Sequence, residues 1–95
     1  MSRKTIKFDK QGISQLPNDK PVVYKITTNG GRNNYTGIAK RGRVQARIAE
    51  HLSGSKDPVP GAKVQIEQMS GIQNARAKES RIISRSKPKY NKQGK

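Results

Sequence analysis

Read at about 100° per residue, the stretch "IQNARAKESRIISRS" sets Glu79 in nearly the same direction as Ile72, Ala75, Ile82 and Ile83. Around it stand Arg76, Lys78, Arg81 and Arg85, the solvated part of a basic helix. A carboxylate in an apolar stripe costs on the order of several kcal/mol unless it is neutralised, paired or bound to a metal. Two outcomes are open for Glu79: a buried salt bridge to a nearby arginine, or ligation of a hard cation. Three other sets of residues have the right types for chemistry. Arg43, Arg47 and His51 recur every four residues, in a row beside an apolar stripe of Val44, Ile48 and Leu52. That spacing suits a phosphate-facing surface as well as a catalytic row. Tyr24 and Tyr35 fall in two neighbouring β-like runs, where paired rings serve packing as readily as chemistry. Asn91 follows "PKY" in a polar tail.

The elements that must position these residues are legible in the pattern. "PVVYKITT" (21–28) is β-branched and aromatic, "NGG" is a turn signal, and "NNYTGIA" (33–39) reads as the returning strand. A two-residue loop at Asn29-Gly30 places Tyr24 directly opposite Tyr35, on one face of the hairpin. A Gly30-Gly31 loop slips the register by two and keeps the rings on that face, whereas a three-residue loop separates them. "VQARIAEHL" (44–52) reads as a helix, "SGSKDPVPG" (53–61) as a loop, and "AKVQIEQM" (62–69) as a strand with one wet face. A second helix runs from about Gln73 to Ser86 and stops before Pro88. The expected fold is α+β, a small three-stranded antiparallel sheet flanked by helices in the order β-β-α-β-α. "TIKF" near the N-terminus alternates and is compatible with an added edge strand.

Composition narrows the partner. The chain has 95 residues, with 21 Lys and Arg against 6 Asp and Glu, a net charge of +15. A charge of that size opposes compaction and favours a polyanion, with nucleic acid the natural candidate. The absence of cysteine excludes disulfides and thiolate metal sites, and a single histidine excludes a histidine-rich zinc site. No run resembles a signal peptide or could span a bilayer, so a soluble cytoplasmic protein without membrane association is expected. Leu, Ile, Val and Phe number only 17, near the disordered regime, but thirteen of them fall between Val22 and Ile83 in periodic segments.

Taken in order, these residues resemble the GIY-YIG nuclease family. Val22-Val23-Tyr24 stands for the first signature triplet and Tyr35-Thr36-Gly37 for the second, with ten residues between the tyrosines. "LPNDKPVVY" is similar to the family's Leu-Pro lead-in, and "RIAEHL" resembles its helix with an arginine followed one turn later by a histidine. "ESRIISRSKPKYN" resembles the closing motif, a glutamate, an aliphatic pair and Pro-x-Tyr-Asn. The resemblance covers residues 16–91, the expected nuclease domain, between an N-terminal extension (1–15) and a basic tail (92–95).

The resemblance implies hydrolysis of DNA phosphodiesters with one divalent ion, Mg²⁺ or Mn²⁺, and no small-molecule cofactor. Glu79 would then be the single protein ligand of the ion, Tyr24 would help deprotonate the attacking water, and Tyr35 would orient water or a phosphate oxygen. Arg47 would stabilise charge on the phosphorane-like transition state, His51 would support Tyr24, and Asn91 would tie the tail to the site. A phenol of pKa about 10 is a poor base, and a nearby metal and arginine are expected to lower it. The candidate phosphate contacts are Lys40, Arg41, Arg43, Arg47, Arg76 and Lys89.

The chain departs from the family pattern in carrying valines for Gly-Ile and threonine for isoleucine in the triplets. It also has two extra residues before Arg47, which put Gln45 at the customary arginine spacing. "KRGR" is read as an insertion, with Arg43 the rival of Arg47. The alternative function is a non-catalytic basic nucleic-acid-binding module, a degenerate relative or a ribosome-associated protein. As one site cuts one strand, double-strand cleavage would need a homodimer or sequential nicks.

Overall fold

The computed structural model describes residues 3–52 and 58–88. Their elements are β1 (Arg3–Lys7), α1 (Lys10–Ile13), β2 (Val22–Thr27), β3 (Asn33–Ala39), α2 (Val44–Ala49), β4 (Lys63–Gln68) and α3 (Ile72–Ser86). The α+β architecture with an antiparallel sheet is as expected, but the sheet has four strands, ordered β1-β4-β2-β3. The added strand is the N-terminal alternation. Ile6 faces inward opposite Val64, while its exposed neighbours on either side, Thr5 and Lys7, leave a charged edge that discourages further pairing. The short helix α1 was not foreseen. Its signal is local: the Asp9 carboxylate accepts from Gly12 N at 2.7 Å and caps the turn.

The sheet is covered on both faces. Tyr24, Ile26, Val64 and Ile66 meet Ile13, Leu16, Val44 and Ile48 in one cluster, on the side of α1 and α2. Val23 meets Met69 and Ala75 in the other, with Ile38, Ile72 and Ile82 of β3 and α3 packed against it. β2 is therefore buried on both faces, which explains its nearly continuous apolar run. Among the described residues no helix is long and apolar enough to cross a membrane.

The hairpin corrects the expected register. Tyr24 lies opposite Gly37, and Tyr35 lies opposite Ile26. The loop is the three-residue kind: Gly31 N donates to Thr28 O at 2.9 Å, Thr28 N donates to Arg32 O at 3.0 Å, and Gly31 takes φ +89°. Such a loop alone would send the two rings to opposite faces. A bulge between Ile26 and Thr27 on the β2 side adds one residue on β3 and restores the parity. The Asn33 side chain supports that bulge, accepting from Tyr35 N at 3.1 Å and donating to Thr36 Oγ1 at 2.7 Å.

The first main helix is shorter than expected, and the second agrees with expectation to within a residue. α2 stops at Ala49, and the chain tightens into i→i+3 bonds, His51 N to Ile48 O and Leu52 N to Ala49 O. α3 begins at Ile72 and ends on Lys87 in the left-handed region (φ 45°), just before Pro88.

Candidate active site

Tyr24 projects from β2 under α2 and is fully buried. Its ring lies over Gly37 of the edge strand β3. A Cβ at Gly37 would stand 2.7 Å from Tyr24 Oη and 2.9 Å from Tyr35 Cε1. Any side chain there would displace both phenols, so the glycine is what lets Tyr24 reach across β3. The phenol meets His51, with Oη···Nε2 at 2.8 Å. Tyr35 completes the cluster, its ring centroid 4.4 Å from that of His51 and 6.0 Å from that of Tyr24. His51 is itself only 2% exposed. The expected row Arg43, Arg47, His51 is thus broken: the tightened turn after Ala49 swings the imidazole into the core, while both arginines stay exposed.

Arg47 of α2 approaches this cluster from the solvent side. It interacts with Tyr24 through space and by a hydrogen bond, with Tyr35 through space, and with Glu50 Oε1 at 3.3 Å. Its own burial works against the charge, but the surrounding phenols and Glu50 outweigh it and hold the guanidinium protonated. Arg43 precedes α2 as its N-cap and has no part in the electrostatics of Tyr24. Gln45 docks α2, donating through Nε2 to Leu16 O at 2.7 Å, while its backbone N donates to Asn18 Oδ1. That leaves Arg47 as the arginine that faces the tyrosines.

Glu79 enters from α3, which packs chiefly on β3 and β2. It is half-buried rather than buried; in its stripe only Ala75 is fully covered. Desolvation raises its carboxyl pKa above the ordinary value, with Arg76 and then Arg47 opposing the shift. Among the described residues none of the ion pairs uses it. The salt-bridge alternative left open by the sequence is therefore not found among the described residues. Tyr24 feels Glu79 as well: its pKa is raised well above the ordinary phenol range, by burial first, then by Tyr35, with Glu79 adding and Arg47 opposing. Arg47 does lower this phenol, as expected of an arginine, but burial outweighs the guanidinium.

The architecture places these residues among known structures. The GIY-YIG N-terminal endonuclease domain of UvrC from Thermotoga maritima, bound to magnesium, superposes with a TM-score of 0.68 at 22% identity, over 87% of this chain and 94% of that one. The fold is the GIY-YIG fold. A tyrosine-to-phenylalanine point mutant of the same domain, bound to its catalytic divalent cation, gives 0.68 at 22% over 88% and 94%. An asparagine-to-alanine mutant gives 0.68 at 21% over 88% and 94%. No protein-family model matches the sequence, and no curated protein gives a significant match.

On this GIY-YIG framework the two triplets stand side by side on β2 and β3, and the closing motif begins in α3. Beside the cluster a cleft of about 400 Å³ is lined by Ile38, Ala39, Lys40, Arg43, Arg47, Ile72 and Arg76. Four of the six candidate phosphate contacts meet there. Arg41 is exposed in the turn before α2 and does not line it. Lys89 and Asn91 lie outside the described residues.

Among the described residues no three His, Cys, Asp or Glu side chains gather to cage a metal. The donor set still fits Mg²⁺ or Mn²⁺, hard ions that take oxygen ligands. Mg²⁺ binds through one or two carboxylates and keeps several waters, and Glu79 offers one half-buried carboxylate that enters no ion pair among the described residues. Sequence reasoning missed the aliphatic lining of Ile38 and of Ile72, the latter read as part of an apolar helix stripe, and the two asparagines of the bulge. Asn34 is buried and donates to Pro60 O at 2.9 Å; paired asparagines just before a signature strand are the signal that could have found them.

Proposed function

We propose that the chain is a divalent-metal-dependent DNA endonuclease, with Glu79 holding one Mg²⁺ or Mn²⁺. The observation that carries this reading is that a buried Tyr24–His51 pair, Arg47 and Glu79, which enters no ion pair among the described residues, lie within electrostatic reach of one another, with Arg47 also lining the basic cleft. The magnesium-bound UvrC domain supports the choice of cation. When bound, the ion would neutralise the phosphodiester and help acidify the attacking water.

The protein's own groups account for the rest. The raised pKa of Tyr24 keeps its proton on Oη, within hydrogen-bond distance of His51 Nε2. A lone pair of Oη then accepts from the attacking water, and the water's proton passes through Tyr24 to Nε2 of His51. Tyr35, stacked beside them, orients the water or a phosphate oxygen. Arg47 places a fixed positive charge where the pentacovalent phosphate gathers negative charge. Asn91 is assigned by the resemblance to tie the tail to the site. A DNA substrate fits a cytoplasmic location, and a double-strand product requires a homodimer or sequential nicks.

As a mere binding module, the chain would keep Glu79 unpaired and partly desolvated for no gain. The test is supercoiled plasmid incubated with Mg²⁺ or Mn²⁺ and either wild type or Glu79→Ala. Nicking by wild type alone is expected; unchanged plasmid at every metal concentration, or equal nicking by the variant, contradicts the nuclease reading.

A further inference from the structure

α3 has a cleft along each flank. On the side away from Glu79, a second concavity of about 240 Å³ is lined by Arg3, Lys25, Lys78 and Arg85 around Glu67, with Ile82 in its floor. Glu67 is already committed, accepting from Lys78 Nζ at 2.5 Å and pairing with Arg3 at 3.5 Å. Among the described residues Lys25 and Arg85 enter no ion pair. A solvated basic surface spreads its cations outward. Here Lys25 is half-buried on a sheet face, and four cations share one concavity with one carboxylate. In a chain of +15 that convergence is self-repelling until an anion enters.

We propose that this cleft is a second contact for the phosphate backbone of DNA. The proposal rests on the nuclease reading for the identity of the polyanion and adds a site which that reading does not use. Geometry supports a single duplex meeting both clefts. A helix with its side chains is about 10–12 Å across, and the major groove of B-DNA is about 12 Å wide. The exposed ridge of α3 between the clefts carries Gln73, Ala77, Ser80, Arg81 and Ser84, polar or short side chains with one cation among them. With that ridge facing the groove, the phosphates along its two borders fall on the two flanks, Arg76 on one and Lys78 and Arg85 on the other. Such contacts carry no sequence information but fix the register of the protein on the duplex.

The test measures binding of a labelled 20-bp duplex, in EDTA so that nothing is cut, as a function of KCl concentration. Each lost phosphate contact removes about 0.9 from the slope of log K against log salt. Lys25→Gln/Arg85→Gln is expected to weaken binding and reduce the slope by about 1.8, and each single variant by about 0.9. The singles decide the matter if melting curves show the double variant unfolded. Lys10→Gln/Lys20→Gln removes two exposed charges that line neither cleft and should leave the slope unchanged. A slope unaltered by losing Lys25 and Arg85, or lowered equally by the control pair, overturns the proposal. If wild type nicks plasmid in Mg²⁺ yet the slopes do not move, only the second cleft falls. If wild type binds no duplex, both readings fall.

Discussion

Two glutamates stand on opposite flanks of α3 and live under opposite rules. Glu67, on β4, has a side chain only 13% exposed and is held by Lys78 and Arg3. The hydrogen bond from Lys78, then charge from Lys78 and Arg3, overcomes burial and draws its pKa down. Glu79 is half-buried as well, but it has no ion pair among the described residues, and desolvation takes its pKa up. This small basic protein has cations to spare for any carboxylate that needs one. Glu67 shows what a structural carboxylate looks like here, and Glu79 departs from that pattern beside Tyr24, His51 and Arg47. The difference teaches that burial alone does not mark a functional carboxylate; the absence of a partner amid an excess of possible partners does.

The widest gap between the flanks should appear in activity. Glu79→Ala is expected to lower plasmid nicking by at least about 10²–10³-fold, the effect of removing one preorganised electrostatic group, while its urea unfolding midpoint stays the same or rises. A fall in stability matching the loss of activity would make Glu79 a structural residue like Glu67. Next come the arginines. Arg47→Ala should cut kcat on the order of 10²-fold, whereas Arg43→Ala should chiefly raise KM through a lost phosphate contact. Should Arg43→Ala abolish cleavage while Arg47→Ala only weakens it, the assignment across "KRGR" is wrong.

A smaller effect probes how Tyr24 reaches the site. Gly37→Ala forces a Cβ to within 2.7 Å of Tyr24 Oη, at a cost of about 1–3 kcal/mol typical of overpacking. Cleavage should fall in the protein that remains folded, because the Tyr24–His51 hydrogen bond is displaced. Full activity with unchanged stability would mean the phenol has another route.

The smallest effect is the most diagnostic of the comparison. The lowered pKa of Glu67 gives stability present above its unfolded value and lost as pH falls through its folded value. Glu79, raised when folded, binds its proton more readily than the unfolded chain does. Its penalty is absent in acid and sets in as pH rises through the folded value. Hence Glu67→Gln should cost about 1–3 kcal/mol at neutral pH, a loss that fades on acidification. Glu79→Gln should bring a slight gain at neutral pH that likewise fades. Urea titrations across the acid range check both signs, and a stability loss for Glu79→Gln at neutral pH would remove the distinction.

Much of this was legible in the sequence. Strand β3, the α+β order, the tyrosines on one face and the anomaly of Glu79 follow from periodicity and residue type. The hairpin register did not, because a three-residue loop and a bulge each shift parity by one and cancel. The burial of His51 was hidden because helical spacing was extended two residues past Ala49, where the chain had already tightened. β1 was ambiguous because only Ile6 among "RKTIK" is buried. Whether Glu79 had an ion-pair partner could not be read from the sequence, because Arg76 lies one turn away and Arg47 is brought near only by the fold.

The central claim is that Glu79 holds a hard divalent cation. Mn²⁺ titration followed by water-proton relaxation tests it without relying on cleavage. One weakly held ion per chain is predicted for wild type and for Glu67→Gln, with the enhancement lost in Glu79→Gln. Equal Mn²⁺ binding by Glu79→Gln and wild type would contradict the account.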